Sequence, residues 1–234
     1  MKRHTTSLLA RLALCALALT LTLGSCWKDD AYIIGSNGDL LFAIGTVRVI
    51  EGQDYYFELD EGSKLYPGDT TAIRGYAVVD NQRAFVYFSP MDEAMPGYEY
   101  NASVQHIENI LTKDIHRMKP AEADSIGDDR IDVDNIWLTK DYVNIVYRFY
   151  HSNNPDKKHM LNLVVNDSAP LPADGPLPLE FRHNAYGDTP LQGGTGIVSF
   201  RLDSVRGLLE TGRDVRIRVH TLYNGVKYFD IPRP

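Results

Sequence analysis

The sequence predicts an all-β protein of two domains, an N-terminal barrel followed by an immunoglobulin-like β-sandwich. Its 234 residues include 14 Tyr and 8 Phe, and together with many Val and Ile residues these favour strands. Apolar and polar residues alternate over short segments that Gly, Pro, Asn and Asp interrupt. This pattern is typical of strands that are joined by tight turns.

The first 25 residues have the pattern of a secretory leader. Lys2, Arg3 and Arg11 precede an apolar run that covers residues 12–23. A helix needs about 20 apolar residues to span a bilayer, and this run is shorter. We therefore expect residues 1–25 to be a signal peptide that is removed on export.

A candidate lipid attachment site follows the apolar run. Leu23-Gly24-Ser25-Cys26 resembles a bacterial lipobox, in which cleavage exposes a cysteine that carries the lipid. Cys15 lies in the leader, so Cys26 would be the last cysteine left, and acylation would remove a thiol that has no disulfide partner. An ordinary secreted protein with a free Cys26 is the alternative.

Residues 26–39 are predicted to tether the folded part to the membrane. Trp27-Lys28-Asp29-Asp30 resembles the surface-export signal of lipoproteins in Gram-negative anaerobes. We expect a lipid anchor in the outer membrane and display at the cell surface, with the periplasmic face as the alternative. The net charge is −7, and removal of three leader cations makes it −10. Such an acidic chain lacks the basic surface that nucleic acid requires.

Residues 40–112 predict a barrel of the OB type. Strands are expected at 40–50, 55–60, 73–80, 83–89 and 97–111, with a turn at 66–69 and a hairpin around Asn81-Gln82. In the second of these strands Tyr55, Phe57 and Leu59 would face inward. Five strands within about 80 residues, the first one long, are typical of a small closed barrel.

Residues 113–132 are predicted to be a linker, and residues 133–234 a sandwich. The linker is rich in charged residues around Pro120 and Gly127, as domain boundaries often are. Seven sandwich strands are expected at 133–139, 142–151, 159–166, 177–183, 196–203, 215–222 and 226–231. Asn224-Gly225 predicts the last hairpin, and residues 204–211 a short helix. Seven alternating strands favour a sandwich.

Several blocks in the second half carry a family resemblance: Ser125-Ile126-Gly127-Asp128-Asp129 with Trp137 and Tyr142-Val143-Asn144-Ile145; His159-Met160-Leu161-Asn162-Leu163-Val164; Leu179-Glu180-Phe181-Arg182-His183-Asn184-Ala185; and Gly196-Ile197-Val198-Ser199-Phe200. Together they resemble the NigD-like lipoproteins. The resemblance implies an N-terminal OB domain and a C-terminal β-sandwich, with no catalytic motif. The family is named after a bacteriocin operon, so a role in bacteriocin immunity is an alternative function.

The sequence predicts neither catalysis nor a cofactor or metal. It contains no HExxH, GxSxG or P-loop motif, which are the signatures of common hydrolase and nucleotide sites. A metal-dependent hydrolase is a further alternative, because His151, His159 and His183 lie at strand ends and could meet around a metal. Histidines that bond to a backbone carbonyl or to an Asp are the more common outcome.

A binding role is therefore the main prediction. The outer face of the barrel is expected to carry five residues that could stack on a glycan or contact a surface protein or peptide: Tyr56, Arg74, Tyr76, Phe85 and Tyr87. The alternative is that the second domain covers them. A basic stripe on the sandwich, formed by Arg201, Arg216, Arg218 and His220, is expected to be an ordinary paired surface.

Overall fold

The computed structural model describes residues 33–37, 40–168, 170–209 and 212–233. Cys26 and the leader lie outside the described residues, so their predicted roles stay predictions. The described chain is all-β, with short helical turns only between strands. This confirms the predicted fold class. Within the described ranges no helix has the length and hydropathy needed to cross a bilayer.

The first domain is a closed barrel preceded by one added strand. Its strands are β1 (Ile33–Asn37), β2 (Leu40–Glu51), β3 (Asp54–Leu59), β4 (Lys64–Asp69), β5 (Arg83–Pro90) and β6 (Tyr100–Asn109). They follow the order β1-β2-β3-β4-β6-β5, and β5 returns to pair with β2. The β4–β6 pair is parallel, whereas the other neighbours are antiparallel. This is a five-stranded Greek-key barrel of the OB type.

Strand β2 closes the barrel by pairing on both of its edges. Its first half pairs with β5 and its second half with β3. Gly45 lies where the two partners meet, and a Cβ atom there would approach the Glu58 carbonyl oxygen to 2.8 Å. The chain therefore needs glycine at this close contact. In β3, Tyr55, Phe57 and Leu59 are buried in the barrel core as predicted.

Three predicted features of the barrel are wrong: the turn at 66–69, the strand at 73–80, and the hairpin around Asn81-Gln82 that would have joined that strand to β5. Residues 66–69 are not a turn, because they lie within β4. The register with β6 skips between Tyr66 and Asp69, and such an irregularity accommodates Pro67, which has no N–H to donate. Residues 73–80 are not a strand: a 3-10 turn, Thr71–Ile73, leads into a loop. The apolar residues of this loop, including Tyr76 and Val78, pack against the core instead.

The predicted linker at 113–132 also needs correction, because it is part of the sandwich. It contributes the second half of β7 (Leu111–Asp114) and all of β8 (His116–Met118). β7 pairs in parallel with β13 (Gln192–Arg201), and β8 pairs in parallel with β11 (Met160–Asn166). The few apolar residues of the segment are placed at core positions, and Ile131 is fully buried. The many charged residues of the segment indicated a linker, although its few apolar residues belong to the sandwich core.

The second domain is a sandwich of two sheets. The remaining strands are β9 (Asp132–Leu138), β10 (Tyr142–His151), β12 (Leu177–Asn184), β14 (Val215–Thr221) and β15 (Gly225–Ile231). One sheet has the order β7-β13-β10-β9 and the other β15-β14-β12-β11-β8. Alternate residues such as Val215, Ile217 and Val219 enter the core between them. The predicted helix is a 3-10 turn, Asp203–Val205, followed by a helical turn, Arg206–Leu209.

A buried polar cluster joins the two domains. Arg83, at the start of β5, is 1% exposed and donates two hydrogen bonds to Asp60, of 2.5 and 2.7 Å. It also donates to Asn144 Oδ1 of the sandwich at 2.9 Å, and its guanidinium carbon lies 4.5 Å from the Tyr142 ring centroid. Trp137 Nε1 donates to Asp60 at 3.2 Å. Both charged groups therefore have partners in both domains.

Candidate functional site

Three tyrosine rings meet on the outer face of the barrel, and we call them the tyrosine cluster: Tyr56, Tyr66 and Tyr98. Tyr56 lies on β3, Tyr66 on β4 and Tyr98 in the loop between β5 and β6. The Tyr56 and Tyr98 ring centroids are 5.6 Å apart in an edge-to-face arrangement, and those of Tyr66 and Tyr98 are 5.2 Å apart. All three side chains are half-buried. OB barrels commonly bind ligands on their second and third strands and on the loop before the fifth, which correspond to these elements.

The strand pattern explains why these rings point outward. Tyr56 lies between the buried residues Tyr55 and Phe57, and Tyr66 between Leu65 and Pro67, which are buried too. Since successive side chains of a strand point to opposite faces, both tyrosines must leave the core. The parallel pairing of β4 with β6 then places the loop before β6 beside β4.

Hydrogen bonds fix the loop that carries Tyr98. The Glu99 N–H donates to the Lys64 carbonyl oxygen at 3.0 Å, and the Lys64 N–H donates to the Glu99 carboxylate at 2.6 Å. The Tyr98 N–H donates to the Met95 carbonyl oxygen at 3.2 Å. The hydrogen bond from Lys64 lowers the pKa of Glu99, so this carboxylate stays charged. Tyr98 is therefore held in place before any ligand binds.

Charged groups surround the tyrosine cluster. The Lys64 ammonium lies 5.6 Å from the Tyr56 ring centroid, within the range of a cation–π contact. Burial, with the neighbouring Asp54 carboxylate, raises the pKa of Tyr66, and its hydroxyl therefore remains a hydrogen-bond donor. Aromatic faces beside fixed donors and acceptors can stack on a sugar ring and bond to its hydroxyls.

A cleft between the domains lies next to the cluster. Its volume is about 150 Å³, and it is lined by Arg48, Glu58 and Arg83 from the barrel and by residues 139–142 from the sandwich. Arg48 is directly opposite Tyr56 in the β2–β3 register and donates to Glu58 at 2.7 Å. Cleft and tyrosine cluster therefore form one surface that includes both domains.

The structure does not bring the five predicted face residues together. Tyr56 belongs to the tyrosine cluster. Phe85 and Tyr87 instead pack with Phe42, at centroid distances of 6.4 and 4.9 Å, and His106 joins them. This separate group lies on β2, β5 and β6.

The other two predicted residues lie within residues 73–80, which form a loop instead of the predicted strand. Tyr76 packs against the barrel core and donates to Asn109 at 3.0 Å, and burial raises its pKa. Arg74 is exposed in the loop. Sequence reasoning missed Tyr66 because residues 66–69 had the composition of a turn. It placed Tyr98 in a strand at 97–111, but that strand begins at Tyr100, so Tyr98 lies in the loop before it. The strand order of an OB barrel was the signal that could have located them.

The three candidate metal histidines converge, but they do not form a metal site. His151, His159 and His183 all contact the Phe149 ring. His159 Nδ1 lies 2.9 Å from His183 Nε2, and its Nε2 lies 3.1 Å from Asp188. The nitrogens of His159 and His183 bond to each other and to oxygen acceptors, whereas His151 Nδ1 accepts from the Asn153 N–H at 3.1 Å. Among the described residues, no group of three or more His, Cys, Asp and Glu side chains could hold a metal ion.

The predicted basic stripe is a paired surface, as expected. Each member has an acidic residue or its carbonyl as partner: Arg201 with Asp114, Arg216 with Asp230, Arg218 with Asp128, and His220 with the Asp128 carbonyl oxygen. Ion pairs with Asp230 and Asp128 raise the pKa values of Arg216 and Arg218. The stripe therefore presents little unpaired positive charge.

Comparisons with solved structures agree with this architecture. A protein of unknown function from Bacteroides vulgatus has 26% sequence identity and a TM-score of 0.73, and the match covers 83% of this chain and 91% of that chain. A "Putative TOXIN related protein" from Parabacteroides distasonis has 30% identity and a TM-score of 0.67, covering 82% and 92%. A NigD-like immunity protein from Bacteroides caccae has 18% identity and a TM-score of 0.59, covering 80% and 90%. A search of curated proteins found no match.

Two family models match nearly all of the described chain. Residues 44–110 match the NigD-like N-terminal OB domain, and residues 114–233 match the NigD-like C-terminal beta sandwich domain. The first range covers the barrel from within β2 onward, and the second covers the sandwich together with residues 114–132 of the predicted linker. The chain therefore belongs to the NigD-like family.

Proposed function

We propose that the protein is a non-catalytic binding component of the cell envelope that contacts its partner through the tyrosine cluster and the adjoining cleft. The observation that carries this proposal is the meeting of three rings from separate elements on the face that OB barrels use for ligands. Family membership and the lack of a catalytic motif support a role without chemistry. A surface glycan or a protein segment is the expected partner.

Glycan-array binding tests this role. The double variant Tyr56→Ala/Tyr98→Ala removes two of the three rings, and we expect its affinity to fall at least about 10-fold, since each stacked ring contributes roughly 1 kcal/mol. Tyr228→Ala is the matched control, because Tyr228 is 64% exposed on the sandwich and lies outside the cluster. Equal loss of binding in both variants would contradict the proposal.

The place of action is the second part of the proposal. The leader and Cys26 support a lipid anchor in the outer membrane, with the folded domains at the cell surface or in the periplasm. Several acyl chains hold a protein durably, since each buried methylene contributes about 0.8 kcal/mol. Labelling of cells with a palmitate analogue should mark the protein, and Cys26→Ser should lose the label. Protease treatment of intact cells distinguishes surface from periplasm.

Bacteriocin immunity is the second candidate function. It is favoured by two of the similar solved structures, one called a NigD-like immunity protein and the other related to a toxin. An immunity protein would sequester a toxic peptide at the envelope, and the same tyrosine cluster could hold it. Expression in a sensitive strain should then raise the inhibitory concentration of the bacteriocin, and Tyr56→Ala/Tyr98→Ala should remove that protection. Unchanged sensitivity on expression would reject this candidate.

A further inference from the structure

A second cavity lies at one end of the sandwich, away from the tyrosine cluster. It has a volume of about 350 Å³, and its apolar wall is formed by Tyr147, Phe149 and Leu161. The Phe149 ring packs closely on the backbone of β13, since a Cβ atom at Gly194 would lie 2.9 Å from that ring. This glycine leaves room for the ring to stand over β13. The cavity is within the size range of small-molecule sites.

The polar part of this cavity is entirely basic. His151, Lys157, Lys158, His159 and His183 line it, and no Asp or Glu does. The whole chain has 31 acidic residues against 24 Lys and Arg, so an all-basic lining departs from its overall charge. An apolar wall beside several cations is complementary to a ligand that combines an apolar body with a negative charge.

Hydrogen bonds between the histidines determine where the protons lie. His159 Nε2 faces Asp188 at 3.1 Å, and His183 Nδ1 faces the Arg130 carbonyl oxygen at 3.2 Å. Both oxygens accept only, so both of these nitrogens must donate. The remaining contact, His159 Nδ1 to His183 Nε2 at 2.9 Å, needs one more proton. The two rings therefore share three protons and carry one positive charge between them.

The pKa of His183 agrees with this arrangement. Burial, with the adjacent His159, lowers the pKa of His183, which keeps its ring neutral. Asp188 contacts His159 Nε2 on the side opposite His183. Hydrogen bonds from Ser152, His159 and the Thr189 N–H hold the pKa of Asp188 well below its usual range. This carboxylate is already engaged and does not line the cavity. Lys157 and Lys158, both exposed, supply positive charge that Asp188 does not balance.

We propose that this cavity binds a small organic carboxylate with an aromatic or other apolar body. The apolar body would pack against Phe149, Tyr147 and Leu161, with ring edges or faces meeting the Phe149 ring. The carboxylate would lie toward Lys157 and Lys158, where charge-assisted hydrogen bonds are available. The site is independent of the tyrosine cluster, which lies on the other domain.

Three probes that differ only in their polar end test the proposal on the purified protein at pH 7. They are 1-naphthylacetate, the neutral 2-(1-naphthyl)ethanol and the cationic 2-(1-naphthyl)ethylamine. Calorimetric titration should show saturable binding of the carboxylate, at least about 10-fold weaker binding of the alcohol, and still weaker binding of the amine. Equal affinity for carboxylate and alcohol, or no saturable binding of the carboxylate, would overturn the proposal.

Variants locate the site. Lys157→Gln/Lys158→Gln should weaken carboxylate binding about 5-fold or more, because it removes both ammonium groups that would pair with the carboxylate. It should leave the affinity for the alcohol unchanged. Lys227→Gln, an exposed position on β15, is the matched control and should bind the carboxylate like the unchanged protein. Since both lysines are exposed, neither substitution should alter thermal unfolding. Equal carboxylate affinity in the double variant and the control would contradict the assignment.

Discussion

Arg83 and Asp60 form a bidentate ion pair that is buried where the barrel meets the sandwich. The side chains are 1% and 4% exposed, and both bond to residues of the sandwich as well as to each other. Desolvation makes such a pair costly to assemble, but removal of one partner leaves the other buried and unpaired. The pair therefore fixes how the two domains meet.

The first prediction concerns this pair. Arg83→Met should lower the free energy of unfolding by about 3–5 kcal/mol, because Asp60 would stay buried without its partner. The double variant Arg83→Met/Asp60→Leu should be more stable than the single variant, since it removes both charges. Urea unfolding followed by Trp137 fluorescence, in a Trp27→Phe background, measures both. A single variant within about 0.5 kcal/mol of the unchanged protein would contradict the account.

The second prediction concerns the closure of the barrel at Gly45. Gly45→Ala should destabilise the protein by about 1–3 kcal/mol, because the new methyl group would overlap the backbone of β3. Gly207→Ala is the control of opposite sign: a Cβ atom there meets nothing within 4 Å, and alanine favours the helical turn by up to about 1 kcal/mol. The free energy of unfolding in urea should be lowest for Gly45→Ala, higher for the unchanged protein and highest for Gly207→Ala. Equal stability of the two variants would refute the role given to Gly45.

The third prediction concerns pH. A buried histidine whose folded-state pKa is lowered binds fewer protons than the unfolded chain does, which titrates near about 6.5. The stability that His183 contributes is therefore fully present above about pH 6.5 and is lost as the pH falls toward the lowered pKa. Asp188, whose pKa is lowered too, adds a loss only below about pH 4.

His183→Gln tests this linkage. Between pH 7 and 5 the unchanged protein should lose stability more steeply than the variant, by up to about 1.4 kcal/mol per pH unit. Unfolding by urea at half-unit pH steps gives both slopes. Parallel curves for the two proteins would show that His183 does not titrate as described.

The inward-facing residues of many strands could be predicted from the sequence, because alternating apolar and polar residues show directly which side chains face the core. Tyr55, Phe57 and Leu59 enter the barrel core, and Val215, Ile217 and Val219 enter the sandwich core, as their spacing indicates. The Asn224-Gly225 hairpin also forms as predicted: β14 and β15 pair around it, and Gly225 has a φ of 67°. In these places local sequence and tertiary contacts agree.

The secondary structure was predicted wrongly where tertiary contacts favour a conformation that the local composition does not indicate. Pro67 and Gly68 indicated a turn, but the barrel holds them in a strand through an irregular pairing with β6. Tyr76 had the alternation of a strand residue, yet it belongs to a loop that packs on the core. The tyrosine cluster depends on the parallel β4–β6 pairing, which joins residues far apart in the chain, and no short sequence window contains that information.

Site-specific photocrosslinking in intact native cells tests the central claim most directly. Tyr98 is replaced by p-benzoylphenylalanine in one strain, and the exposed Tyr228 in a second strain as the matched control. The account predicts a light-dependent adduct of discrete mass at position 98 and none at position 228. Adducts at position 228 alone, equal adducts at both, or no adduct at position 98 would contradict the proposal that the tyrosine cluster is the binding surface.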